Sequence, residues 1–495
     1  MKTVKLKRFL CLTAASLLAV SLFAGCAPAV KTVEGVYNVL EHGVKSDGKT
    51  DVSEALNSLI GELSKDGGTL YFPAGAYRLS GSVSVPYKVG VVIADGAVID
   101  VGEDGFIKFN SAAFSAPVSQ IFKGEGAVAG FGSVPNVYPE WFGAIADDGS
   151  DDSEAVGKAI RYAGKVTFGE GVYDIDKSIS LKGAVMGSGL NIIGKGSDKS
   201  KLSIGNGVIA FDAHSDGASI HVFEINGVGF YEKNDGKTSY AVKTNGGAVQ
   251  VYNCHFEGLD RGVWFDYGGY PQFENNTAKN TNVVFEISER SMFIYFEKCR
   301  AEDCGTLVKA VVSPSGGVSN GILLLDCESV NAYAEDVYIT ENQAVWLYNC
   351  SFTGGYGGVA AVYYGAHADS GIDNCVISSK PGSERAGVFY ENVAWGSLTG
   401  CRISDCENAV ILKKSRTITV TDSVFENNGV SDLRLNGSYR IYVARNEFGA
   451  ASPFARDNAN NHVSVTGNNF KAAEFDIAEV FDAENAVCKD NVFGK

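Results

Sequence analysis

From residue 249 onward, apolar and polar residues alternate in short runs, and the runs return in a fixed order. VQVYNCHF (249–256), IYFEKCRA (294–301), ILLLDCES (322–329) and VWLYNCSF (345–352) are copies of one phrase. Weaker copies carry Asn276, Cys375 and Cys401, and later ones replace the cysteine with Ser423, Asn446, Asn468 and Asn491. Equivalent positions follow one another at intervals of 22–28 residues. Strict alternation predicts half-buried strands, and a period of that length predicts a solenoid with one coil per repeat. Each coil reads as three short strands: a VxV run, a CxF run, and a G-V-x-[FILV] run such as Gly262–Phe265 or Gly387–Tyr390. Asn, Asp and Gly fall between the runs, where bends need left-handed backbone.

Strands of neighbouring coils lie about 4.8 Å apart, so equivalent side chains stack. The recurring cysteines then form an inward packing ladder, with Cys304 and Cys406 filling the next bend. In-register parallel neighbours rarely offer disulfide geometry. The missing LxxLxL pattern excludes a leucine-rich repeat, and the short period excludes a propeller. The expected fold is an all-β solenoid, a right-handed parallel β-helix with short N-terminal capping helices.

The front of the chain carries a duplicated motif. HGVKSDGKTDVSEA (42–55) is echoed by FGAIADDGSDDSEA (142–155), an offset of 100 residues. Asp51 with Glu54, and Asp151 with Glu154, have capping-box spacing ahead of an apolar-periodic helix. Each helix is followed by a strand and a similar ending, FPAGAY (72–77) or FGEGVY (168–173). With PEWFGA at 139–144, these residues resemble the pectate-lyase-like β-helix superfamily of polygalacturonase-like, rhamnogalacturonase-like and tailspike-like proteins. The resemblance covers roughly 36–495, and it implies that the motif acids, Asp47, Asp51, Asp147 and Asp151, serve mainly to cap the coil.

The first residues read as a processing signal. Lys2, Lys5, Lys7 and Arg8 precede an apolar run from Phe9 to Phe23, and LFAGC (22–26) resembles a bacterial lipobox with Cys26 as the lipidated residue. The expected divisions are a lipoprotein signal peptide at 1–25 and a linker at 26–35. The first cap motif with a first β-helix segment follows at 36–136, and the second cap motif with the main coil at 137–495. Export and lipid anchoring at the bacterial cell surface or outer membrane are the expected location.

The resemblance implies a carbohydrate-active protein with a linear polymer lying along the coil, since stacked coils present side chains at a fixed rise. The rungs nevertheless lack the N-T-D, G-H-G and R-I-K motifs of polygalacturonases and the Trp-x-Asp-His core of lyases, so chemistry must be argued from single residues. With the G-V-x-[FILV] strand facing a groove, its outward row holds Trp264, Asp266, Val284, Glu286, Lys309, Tyr338, Phe389, Glu391, Lys413 and Arg434. Asp266 and Glu286 on neighbouring rungs are a candidate carboxylate pair, since stacked carboxylates split their pKa values and one then serves as a general acid. Lys309 and Arg290 are candidates for a lyase base or uronate clamp. Trp264, Tyr267, Tyr270, Tyr338, Glu391 and His367 are candidate substrate contacts.

Two activities remain open: a surface-anchored polysaccharide lyase or glycoside hydrolase, and a non-catalytic glycan-binding or adhesive lipoprotein. Composition narrows the partners. With 59 Gly and 10 Pro in 495 residues and no G-x-y period, the chain is neither collagenous nor a Pro-rich disordered polymer. A net charge of -16 opposes nucleic-acid binding through the overall field. It favours a neutral glycan, or an acidic one bound through calcium, which is the one cofactor the reading leaves possible. There is no CxxC pair and no Cys/His cluster at zinc spacing.

Overall fold

In a computed structural model, residues 35–494 are described except 112, 131–133, 135, 182–188, 214–221, 246–247, 267, 289–290, 312–319, 341–343, 367–368, 459 and 473–485. The repeating phrase folds as three strands per coil: Ala248–Tyr252, His255–Glu257 and Arg261–Phe265 in one turn. Every strand pairs in parallel with its equivalents in the coils before and after. Among the described residues this gives a first sheet of 15 strands, a second of 14 and a third of 12. The molecule is a right-handed parallel β-helix, all-β apart from short capping helices.

The bend between first and second sheets explains the phrase. The residue before each ladder position is left-handed, with φ of 51–58° at Asn253, Asn275, Lys298, Asp326, Asn349, Asn374, Asp422 and Arg445. Asn and Asp tolerate that region best among residues with a side chain, which accounts for most of the set. The next residue turns inward, and Cys254, Cys299, Cys327, Cys350, Cys375 and Cys401 are buried and unbonded. The Cys254 thiol lies 3.3 Å from the Tyr252 carbonyl, and burial pushes it up to about 12, so it is packing rather than nucleophile.

Further along, asparagines take over the ladder and satisfy one another. The Asn446 amide donates to the Val420 carbonyl at 2.9 Å and to Asn468 Oδ1 at 3.0 Å, and Asn468 donates to Asn491 at 3.1 Å. Cys304 and Cys406 are buried at the second bend, where Thr281 and Asn428 occupy the same place.

Contacts divide the chain into two compact units, one comprising residues up to Pro117 with Ile121–Pro135, the other Val118–Gln120 with Asn136 onward. The first holds three short parallel sheets and helix α1 (Ser53–Asp66), the second the three long sheets and helix α2 (Ser153–Ala163). The capping-box reading is corrected at both helices. The residues at the cap positions are Val52 and Asp152, and neither makes a side-chain cap bond. Asp51 and Asp151 sit one residue earlier and tie the helix start to a strand end. Asp51 accepts from the Ser53 amide at 3.1 Å and the Ser80 amide at 3.0 Å, and Asp151 from Ser153 at 3.0 Å and Asp176 at 3.2 Å. The acids of the motif are thus used as structural ties.

Candidate functional site

The outward row of the third sheet is a continuous column. Lys243, Trp264, Glu286, Lys309, Tyr338, Tyr363, Phe389, Ile411 and Arg434 are paired strand to strand in that order. Each of these strands buries its alternate residues, Val263 and Phe265 in one coil, Phe285 and Ile287 in the next, which pins the register and turns the row to solvent.

At the front of the row, Lys243 Nζ stands 4.6 Å from the Trp264 ring centroid. Glu286 accepts from Arg261 Nε, and Arg261 also holds Asp260 at 2.6 Å. Burial works against the Arg261 charge, but the Glu286 and Asp260 carboxylates outweigh it and keep the guanidinium protonated. Lys309 comes next and makes no hydrogen bond or ion pair with its side chain among the described residues. Behind it Tyr338 and Tyr363 stack with centroids 4.8 Å apart and planes 10° apart, and Phe389 meets Tyr363 edge-on at 5.4 Å. The Tyr363 hydroxyl donates to Glu391 at 2.6 Å, and Lys413 holds the same carboxylate at 2.8 Å. Lys413, then Tyr363, keep Glu391 below its ordinary pKa. Burial raises Tyr338, with Glu335 and Glu391 adding to it, so its phenol stays protonated.

Several expected site residues lie elsewhere. Asp266 and Glu286 do not form a stacked pair. The register sets Trp264 against Glu286, and Asp266, two residues further on, receives a hydrogen bond from Ser288 instead. The ladder step from Cys254 to Asn276 is 22 residues, and the same step carries Trp264 to Glu286. Val284, read as outward, is 1% exposed: it is the second residue of the strand Val283–Ile287, whose first three residues are all buried. Tyr270 lies beyond the third-sheet strand, 59% exposed, stacked on Phe293 at 5.5 Å. Cys26, Tyr267, Arg290 and His367 lie outside the described residues.

A true stacked carboxylate pair sits on the first sheet, where the sequence reading did not look. Glu274 and Glu297 are direct partners on adjacent strands. Glu297 accepts from Tyr295 Oη at 2.5 Å and Lys298 Nζ at 2.8 Å, and Lys298, then Tyr295, hold it below its ordinary pKa. Glu274 is pushed up, first by burial and then by the Glu297 charge. Both precede a ladder position by two residues, in FENN and FEKC, so the repeat itself carried the signal. Gln272 accepts from Tyr252 at 2.8 Å beside them.

Among the described residues no three His, Cys, Asp or Glu side chains come together as a metal-binding group.

Residues 36–98 match the family described as rhamnogalacturonase A/epimerase, pectate lyase-like, and residues 335–493 match the right handed beta helix region. Both matched stretches are of the pectate-lyase-like right-handed β-helix superfamily. Within that superfamily, 64 residues are 44% identical to alginate lyase 7 of Azotobacter vinelandii, covering 13% of the chain and 6% of that protein. A stretch of 101 residues is 36% identical to rhamnogalacturonase A of Aspergillus niger, covering 20% of the chain and 22% of the relative. The matched stretches thus span under a quarter of these relatives. Among solved structures, tailspike protein 3 of bacteriophage CBA120 shares 15% identity over 72% of this chain and 57% of that one, with a TM-score of 0.49. The A-module of a mannuronan C-5 epimerase from Azotobacter vinelandii shares 12% identity over 93% and 99%, with a TM-score of 0.32.

Proposed function

We propose that the protein is a carbohydrate-active enzyme that cleaves a linear polysaccharide laid along the outer face of the third sheet. One observation carries the reading: Lys309 stands with no ion-pair partner among the described residues between Arg261-bound Glu286 and the Tyr338–Tyr363 stack. Aromatic faces at the spacing of the coils suit sugar rings, and a cation between them suits a carboxylate on one ring. For β-elimination Lys309, having given a proton to water, takes the proton beside the ring carboxylate as base while Tyr338 gives its proton to the leaving oxygen; with another base, Lys309 stays protonated and serves as uronate clamp. Trp264 and Phe389 grip the polymer on either side. Export with lipid anchoring at Cys26 belongs to the same proposal, and it places the enzyme at the bacterial cell surface facing its substrate.

A second reading rests on Glu274 and Glu297. A carboxyl pushed up beside one held down is the division of labour of glycoside hydrolysis, and that pair lies on the first sheet. Product analysis separates the readings. The soluble form starting at Ala27 is incubated with polygalacturonate, alginate and neutral glycans, and both new reducing ends and ultraviolet-absorbing unsaturated uronate are followed. Elimination produces both signals and makes them depend on Lys309. Reducing ends alone, lost in Glu274→Gln, establish hydrolysis and displace the first reading. Folded protein silent on every glycan leaves a binding or adhesive role.

A further inference from the structure

The corner where the third sheet turns into the first carries, near the C-terminal end, a strip of aromatic and basic side chains that the cleavage row does not use. Trp395 is 53% exposed, and the Arg416 guanidinium lies 5.9 Å from its ring centroid. Arg416 is paired across the strands with Tyr439, which is 37% exposed. Arg440 follows within that strand (Tyr439–Ala444) at φ 58°, and Lys414 lies two residues before Arg416 at φ 51°, both exposed. The left-handed backbone at these two positions is unusual for long side chains.

None of Lys414, Arg416 and Arg440 forms an ion pair among the described residues. Carboxylates on the third-sheet side of the same coils are already committed: Glu391 to Lys413 at 2.8 Å and Asp457 to Arg434 at 2.6 Å. In a chain of net charge -16, three cations without an ion pair gathered on adjacent coils are a local concentration of positive charge, and charge complementarity favours an anionic partner. Guanidinium groups match carboxylate or sulfate oxygens two at a time, and exposed Trp and Tyr faces match pyranose rings.

The geometry points to this corner as a second glycan site, an anchoring surface for a polysaccharide bearing carboxylate or sulfate groups, with Trp395, Arg416, Tyr439 and Arg440 as its contacts. It holds polymer without cutting it and stands independently of the chemistry assigned to Lys309.

Dextran and dextran sulfate share a backbone and differ in charge, and titration calorimetry of the folded chain reads binding without any cleavage. Dextran sulfate should bind, more weakly as salt is raised, and dextran should not. Arg416→Gln with Arg440→Gln should weaken binding about tenfold, the scale of one or two lost charge-assisted contacts, with an unchanged thermal midpoint. Trp395→Ala should weaken it too. Lys279→Gln, a basic side chain on the second sheet, should bind as the parent does. Equal binding by the double variant and the parent would overturn the site, as would an equal loss in Lys279→Gln. Binding to phosphatidylglycerol vesicles with none to dextran sulfate would assign the strip to a lipid surface instead.

Discussion

Two columns of side chains run the length of the coil and differ in what their positions tolerate. The inner one, Cys254 through Asn468, is chemically monotonous: small, buried, and identical or nearly so from coil to coil. The outer one, Lys243 through Arg434, passes through cation, indole, carboxylate, cation, two phenols and a phenyl ring in successive coils. Both sit on equally regular backbone. Repetition without variation is what packing selects, since every coil presents the same hole at the same bend. Variation on the same scaffold is where binding chemistry has room. The difference also explains why loss of a residue should be felt so differently in the two columns.

The largest effect on stability is expected inside. Asn468→Leu removes the acceptor of the Asn446 backbone amide, at 2.9 Å, together with the donors to Val443 and Asn491. An orphaned buried amide and its neighbours should cost about 3 kcal/mol, read as a fall in the denaturation midpoint. Cys350→Ala, in the cysteine stretch of the same ladder, leaves a small void and no broken polar partner of comparable strength, and should cost about 1 kcal/mol. Equal losses at the two sites would show that the ladder's chemistry is irrelevant and only its volume counts.

The caps sharpen the comparison in another way. Val52 and Asp152 occupy equivalent places in the two copies, both buried. Burial, with the Asp148 and Asp174 charges behind it, pushes Asp152 up from 3.8 to about 6. The native state therefore holds a proton there that the unfolded chain has released between those values, and stability should fall as pH rises from about 4 to about 6. Asp152→Asn should flatten that slope in denaturant titrations, and a slope unchanged by the substitution would remove Asp152 as its source. Smallest of all should be an outer change: Tyr363→Phe deletes one half-exposed bond to Glu391 and should shift stability by about 0.5 kcal/mol or less.

The fold was legible in the sequence because each coil repeats a left-handed Asn or Asp followed by a small inward residue, as in Asn253–Cys254 and Asn349–Cys350. Outward register was legible along most of the third sheet for the same reason: Trp264, Glu286, Lys309 and Tyr338 alternate with buried apolar residues. What escaped was lateral pairing. Asp266 and Glu286 share a parity but are 20 residues apart, two short of the ladder step, so they belong to different rows. Glu274 and Glu297 are one step of 23 apart and do stack. The capping acids were misplaced by one residue because Asp51 and Asp151 bind across to the next strand, a tertiary tie that local spacing does not encode.

The account stands on the outer column being the working one. The direct measurement is release of unsaturated uronate by Lys309→Ala beside the parent and Cys350→Ala, with thermal unfolding followed on the same samples. Lys309→Ala should lose about 100-fold or more of the activity at an unchanged unfolding midpoint, and Cys350→Ala should keep its activity while unfolding earlier. Full activity in Lys309→Ala would contradict the account and move the chemistry off the third-sheet face.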